Sequence, residues 1–252
     1  MMSRIYFGIY ALFGFISLAQ CCDHPPSLWC SSENIARQCQ VEEQCRKWKF
    51  YAGRVEPVQF TLYFESLCPD CKQFVTNQLY PTWMEIGEIM NLTLIPYGNA
   101  EERKAGNNWV FDCQHGKLEC YGNIVETCAI YLLKNIKVYF PLIHCIEQSQ
   151  STDIETVIKQ CASTHHVDYN SLLKCANSSI GNHLEHEMAL KTDALNPPHT
   201  FVPWVTLNGV HTDEIQKKAE TNLLELICDS YKGPKPNACT KHIYKKCLRP
   251  QK

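Results

Sequence analysis

Residues 58–71 read VQFTLYFESLCPDC and join a strand pattern to two closely spaced cysteines, Cys68 and Cys71. From Val58 to Phe64, apolar side chains occupy every second position, which predicts a strand with one buried face. The residues after Cys71 favour a helix, which we expect to run from Lys72 to Leu79 and to be stopped by Pro81. The segment therefore predicts a strand, a Cys-x-x-Cys turn and a helix, in that order.

Two cysteines at this spacing can carry thiol–disulfide exchange. One thiolate attacks a substrate disulfide, and a second thiol nearby then resolves the mixed disulfide. Cys68 is the predicted attacking residue, because unpaired N–H groups and the helix dipole favour a thiolate at the first turn, and Cys71 is the predicted resolving residue. The charge of Asp70 would oppose ionisation unless it faces water. A structural disulfide or half of a zinc site also fits this spacing.

Further elements are predicted on both sides of a long middle region. A second strand is expected at 91–95, and Asn208-Gly209 favours a type I′ hairpin between Trp204 and His211. A last helix should begin with Thr212 or Asp213 as its cap. The region 113–195 has a helical pattern and is interpreted as an insertion. The prediction is an α/β fold with a thioredoxin-like core and a disulfide-rich helical insertion.

The stretch Phe201-Val202-Pro203-Trp204 lies just before the predicted hairpin. At this place thioredoxin-like folds carry a cis-proline that faces the redox cysteines and docks an extended substrate. The resemblance to that fold therefore implies substrate contacts at Val202 and Pro203.

The cysteine content indicates an extracytoplasmic route. The chain has 16 cysteines among 252 residues, and disulfides persist in oxidising compartments. Arg4 and the apolar run Ile5 to Ala19 predict a signal peptide, residues 1–19; a membrane anchor is the alternative, although the run is shorter than the roughly 20 residues that a span needs. Sequons at Asn91 and Asn177 predict N-glycans.

The net charge is −2, and no run of basic residues stands out, so we expect no nucleic-acid partner. No pattern predicts a cofactor or a resident metal.

A cluster of cysteines follows the signal, and so short a segment needs disulfides because it cannot build a core alone. With Pro25-Pro26, Trp29-Cys30 and the cysteine spacings through Cys45, residues 20–52 resemble a saposin A-type segment, which processing could remove. The thioredoxin-like domain is expected at 55–252. If that segment pairs internally, Cys21 and one later cysteine are left over. A bridge between them, a free thiol and a disulfide-linked homodimer remain open.

The residues from Cys113 to Cys128 fit the pattern C-Q-H-G-x2-E-C-x2-N-x4-C without a mismatch. This stretch resembles the signature of the gamma-interferon-inducible lysosomal thiol reductase family. The resemblance implies that Cys68 and Cys71 reduce protein disulfides in acidic endosomes or lysosomes, with a small thiol as reductant, and so assist proteolysis of cargo or antigens. It also implies that the signature cysteines form disulfides. Pro69-Asp70 departs from the commoner pairs between the two cysteines.

Other interpretations of the signature and of the whole chain remain. Cys113, His115, Cys120 and Cys128 could form a metal site, although His115 is expected to cap or pack. The chain could instead be a disulfide oxidase or isomerase of the secretory pathway. A third hypothesis is a non-enzymatic, saposin-like binding factor with a merely structural Cys68–Cys71 bridge.

Overall fold

The computed structural model describes His24 and residues 28–52, 55–151 and 153–240. The predicted signal peptide, Cys21, Cys22 and Cys247 lie outside these residues. The described elements, in chain order, are α1 (Glu33–Gln38), α2 (Glu42–Ala52), β1 (Val58–Phe64), α3 (Pro69–Phe74), α4 (Tyr80–Ile86), β2 (Met90–Pro96), β3 (Glu101–Ala105), β4 (Asn108–Asp112), α5 (Lys117–Leu133), α6 (Ile136–Gln148), α7 (Ile154–Thr164), α8 (Tyr169–Ala176), α9 (Ser179–Asp193), β5 (Trp204–Leu207) and α10 (Asp213–Ser230).

A mixed sheet with strand order β2-β1-β5 forms the centre of the fold. The strand β1 runs parallel to β2 and antiparallel to β5, with Leu62 opposite both Leu94 and Val205. The alternating residues of β1 are buried from Val58 to Phe64, as the sequence predicts. Because β1 is the central strand, the turn that follows it lies in the middle of the sheet edge.

The helix after the two cysteines does not stop at Pro81, so that prediction is wrong. A π-helical turn, Val75–Leu79, joins α3 to α4, and the Tyr80 N–H bonds to the Val75 carbonyl five residues back. This turn shifts the hydrogen-bond register by one residue. Pro81 then lies at the second position of α4, directly after the π-helical turn.

The predicted turn at Asn208-Gly209 is present, but the second strand of its hairpin is reduced to one bridge. Asn208 and Gly209 have φ values of 51° and 78°, the positive values that a type I′ turn requires. Only Leu207 and Val210 pair across the turn within the described residues. The chain then reaches Thr212, whose hydroxyl caps α10 by accepting a hydrogen bond from the Ile215 N–H at 3.1 Å.

Five helices, α5 to α9, form the insertion between β4 and β5. Disulfides Cys128–Cys175 and Cys145–Cys161 fasten α5 to α8 and α6 to α7. The hairpin of β3 and β4 precedes the insertion and was not predicted, because the Glu-Glu-Arg-Lys run of β3 has no apolar alternation. The fold is therefore a thioredoxin-like α/β core with a disulfide-rich helical insertion.

The described part of the N-terminal segment contains α1 and α2, and the disulfide Cys30–Cys45 joins the turn before α1 to α2. Cys39 is also disulfide-bonded. The apolar cluster of this N-terminal segment is small and includes Ala36 and Val41. Such a small cluster agrees with a segment that depends on disulfides. None of the described helices is long and apolar enough to cross a membrane.

Candidate active site

Cys68 and Cys71 lie at the start of α3, at the end of the loop that follows β1. Cys68 is the N-cap residue, and its Sγ accepts a hydrogen bond from the Cys71 N–H at 3.3 Å. Both residues are free thiols, whereas the other cysteines whose side chains are described are disulfide-bonded. Cys68 is only 6% exposed and Cys71 is fully buried. An attacking thiol in this place is reached through a pocket.

The two thiols differ in acidity. The Cys71 hydrogen bond lowers the pKa of Cys68 against the opposing effect of burial. Burial raises the pKa of Cys71 well above its usual range, and the hydrogen bond and charge of Cys68 raise it further. Asp70 is exposed to water. The pair is thus divided into one thiolate-forming residue and one that keeps its proton.

The predicted substrate-contact residues lie beside Cys68. The Val202–Pro203 peptide bond is cis. Gln216 of α10 holds this segment, since its Nε2 donates to the Pro203 carbonyl at 2.8 Å and its Oε1 accepts from the Val205 N–H at 3.1 Å. A pocket of about 290 Å³ is lined by Cys68 and Val202, while Pro203 lines the neighbouring pocket beyond Asp70.

Residues of the 113–128 stretch hold the loop that leads from β1 to Cys68. The Ser66 N–H donates to Asn123 Oδ1 at 2.8 Å, and the Ser66 hydroxyl donates to the Glu119 carbonyl at 3.2 Å. A Cβ on Gly122 would come within 2.2 Å of Ser66 Oγ, so this close approach requires glycine. These contacts from α5 therefore hold the loop that leads to Cys68 at the start of α3.

The same stretch brings His115 next to two buried carboxyl groups. His115 Nδ1 contacts Glu119 Oε2, and it lies 3.5 Å from Glu65 Oε1. The His115 N–H also donates to Glu119 Oε1 at 3.0 Å. Both carboxylates have no exposed side-chain surface, whereas the His115 side chain is 37% exposed. His115, which we expected to cap or pack, thus contacts Glu119 in the first turn of α5 and completes an ion cluster with Glu65.

A metal site made by Cys113, His115, Cys120 and Cys128 is excluded by the disulfides Cys113–Cys120 and Cys128–Cys175. In the described part of the chain, Glu65, His115 and Glu119 are the only group of three or more such residues whose possible donor atoms all lie within 4.8 Å of one another. The imidazole contacts the two carboxyl groups directly, so we assign no metal to them.

Comparison with known proteins agrees with this arrangement. Residues 59–165 match the family model described as Gamma interferon inducible lysosomal thiol reductase. The chain is 43% identical to the Carassius auratus protein of that name over 244 residues, covering 93% of this chain and 94% of the relative. The chain belongs to this family. It is also similar to the family member of Mus musculus, with 41% identity over 73% of this chain and 72% of the relative.

Solved structures are more distant from this thiol reductase. DsbA from Chlamydia trachomatis has a TM-score of 0.47 and 16% identity, covering 68% of this chain and 88% of the other. BdbD from Bacillus subtilis has a TM-score of 0.48 and 12% identity, covering 66% and 86%.

A second pair of carboxyl groups is buried inside the reductase. Glu126 of α5 and Glu147 of α6 are fully buried, and none of their four carboxyl oxygens has a hydrogen-bond donor among the described residues. Burial raises the pKa of Glu126 to about 8, against the charge of Lys72. Burial and the charge of Glu126 raise the pKa of Glu147 well above its usual range. One shared proton would supply the missing donor.

This pair should make the reductase more stable at acid pH than at alkaline pH. The pKa values of both carboxyl groups in the folded protein lie above the unfolded value of about 4.3. At pH values between the unfolded and the folded pKa, the folded protein binds more protons than the unfolded chain, so its stability falls as pH rises. We expect the free energy of unfolding to fall by on the order of 2–4 kcal/mol between pH 5 and pH 8. His144, His165 and His199 have pKa values lowered by burial and oppose this trend only below about pH 6.5.

Urea unfolding at a series of pH values measures the effect. Glu147→Gln should flatten the slope above pH 6.5, while the exposed control Glu155→Gln should leave it unchanged. A free energy of unfolding that stays constant from pH 6.5 to pH 8 would contradict the raised pKa values.

Proposed function

We propose that Cys68 and Cys71 are the redox-active dithiol with which this thiol reductase reduces protein disulfides. The observation that carries the proposal is the contrast between two free thiols at a helix start and the disulfide-bonded cysteines around them. Their opposite pKa shifts suit an attacking Cys68 and a resolving Cys71. A merely structural pair would need no such division.

The acidic lumen of endosomes or lysosomes is the proposed compartment, where reduction would help to unfold cargo or antigens for proteolysis. The names of these relatives support a lysosomal location. An ordinary thiol with a pKa of about 8.5 would be only about 0.03% thiolate at about pH 5, so the lowered pKa of Cys68 has a clear use there. Buried carboxyl groups with raised pKa values also favour an acidic working pH.

The proposed partners are disulfide-bonded proteins and a small thiol that restores the dithiol. Substrate would dock along Val202 and Pro203, because Val202 shares a pocket with Cys68. A signal peptide at 1–19 and the saposin A-type segment at 20–52, ahead of a reductase domain at 55–252, complete the proposed organisation. A disulfide-linked homodimer through an unmatched cysteine is a further proposal.

A reductase assay tests the function. The purified chain is supplied with dithiothreitol and incubated with a disulfide-bonded protein at about pH 5 and about pH 7, and released substrate thiols are counted. We expect release beyond that of dithiothreitol alone, with the larger excess at acid pH. No excess at either pH would contradict the proposal.

Glycan attachment gives evidence about the secretory route. Asn91 on the edge strand β2 and Asn177 at the end of α8 are both exposed, so an oligosaccharyltransferase can reach either side chain. In chain secreted from animal cells, we expect Asn91→Gln and Asn177→Gln each to remove one glycosidase-sensitive step in gel mobility. Mobility unchanged by both variants and by glycosidase would contradict glycosylation at these asparagines.

A further inference from the structure

The disulfide exchange proposed above needs a proton for each substrate sulfur that leaves. An alkyl thiolate leaves more slowly than the thiolate of a more acidic thiol, because its conjugate thiol has a pKa of about 8.5, and a proton donor can assist its departure. Cys71 holds one proton for the second sulfur. The first leaving sulfur needs another donor close to Cys68.

His115 and Asp70 are the titratable side chains that line the same pocket as Cys68, and the His115 ring is held there by a neighbouring carboxyl group. Thr200 and Val202 also line this pocket, so a substrate disulfide that reaches Cys68 enters a space that the imidazole shares. His115 Nδ1 is engaged by Glu119 and faces Glu65 at 3.5 Å. Its Nε2 is therefore the nitrogen that remains for a substrate.

The surroundings of His115 favour the protonated ring. Burial would lower its pKa, but the hydrogen bond and charge of Glu119, with the charges of Glu65 and Cys68, raise it above its usual range. These three groups come from α5, from the loop after β1 and from the start of α3. Glu119 also holds His115 through two contacts. One carboxyl oxygen accepts from the His115 backbone N–H, and the other contacts Nδ1. Nucleophile, proton donor and orienting carboxylate are thus present together.

We propose that His115 is a catalytic residue, the general acid that protonates the first leaving sulfur of the substrate. The Cys68 thiolate forms a bond to one substrate sulfur, the substrate S–S bond breaks, and the departing sulfur takes the electron pair and the Nε2 proton. Cys71 then gives up its proton and attacks Cys68, and the second substrate sulfur leaves with the electron pair and that proton. The substrate is reduced to two thiols, and the enzyme is oxidised to a Cys68–Cys71 disulfide.

This inference rests on the proposed function, and leaving-group chemistry tests it separately. Prereduced enzyme is mixed with an alkyl disulfide peptide, or with a nitro-substituted aromatic disulfide whose acidic thiol leaves without a proton. His115→Gln should lower the second-order rate constant for the alkyl substrate by on the order of 10²-fold, the low end for general acid catalysis, and leave the aromatic rate nearly unchanged. The aromatic substrate also reports whether the variant remains folded with a reactive Cys68.

His183→Gln is a matched control, since His183 lies 3.6 Å from Glu187 at the same i,i+4 spacing but in an exposed place. It should change neither rate. Equal losses of His115→Gln on both substrates would assign it a structural role and overturn the proposal, as would no loss on either. If Cys68→Ser kept full activity on both, the proposed function would fail instead.

Discussion

Replacing Cys68 with serine should reduce disulfide reduction to the rate of the small thiol alone, a loss on the order of 10³-fold or more. The hydroxyl of serine cannot form the mixed disulfide, and Cys71, the other free thiol among the described residues, is fully buried. The measurement is the rate of thiol release from a disulfide-bonded protein, with dithiothreitol as reductant.

The control for this variant is Cys39→Ser. Cys39 is disulfide-bonded in the N-terminal segment, away from the turn after β1, and we expect this variant to keep reductase activity. Wild-type activity in Cys68→Ser would contradict the assignment of the attacking residue.

Replacing Cys71 with serine should trap substrate on the enzyme. Cys71 Sγ is fully buried behind Cys68, and burial keeps its proton in place until the mixed disulfide forms. Without this second thiol, Cys68 can attack but the adduct cannot be resolved within the site. Nonreducing gels after incubation with a disulfide-bonded protein should therefore show a covalent complex that a reductant dissolves.

The double variant Cys68→Ser, Cys71→Ser is the control, and it should form no complex. The opposite pattern, with adducts in Cys68→Ser and none in Cys71→Ser, would reverse the roles of the two cysteines. The absence of a complex in every variant would count against both roles.

Local patterns predicted the elements around the redox turn because their causes are local. The alternation from Val58 to Phe64 and the cap at Thr212 both follow from neighbouring residues, and the structure has both. Pro81 misled the prediction because a π-helical turn absorbs the register shift that proline demands. The hairpin of β3 and β4 was missed because charged residues dominate β3.

The ion cluster of Glu65, His115 and Glu119 could be predicted only in part. His115 precedes Gly116, the N-cap of α5, and Glu119 lies in the first turn of that helix, so their contact is local in the sequence. The approach of Glu65 depends on tertiary packing, because Asn123 and Ser66 draw the loop after β1 against α5.

The buried carboxyls of Glu126 and Glu147 had no signal in the sequence. Glutamate on a helix is ordinarily exposed, and only the packing of α5 on α6 removes both side chains from water. Their effect on stability follows from burial, which no spacing rule reveals.

The most direct test of the redox pair is a redox titration in which the state of each cysteine is mapped by mass spectrometry. We expect one two-electron transition, which converts Cys68 and Cys71 from thiols to a disulfide with each other. The potential should change by about 30 mV for each tenfold change in the ratio of the two forms. Disulfides such as Cys128–Cys175 should stay intact across that range. Thiols at Cys68 and Cys71 under all conditions, or pairing of either with another cysteine, would contradict the account.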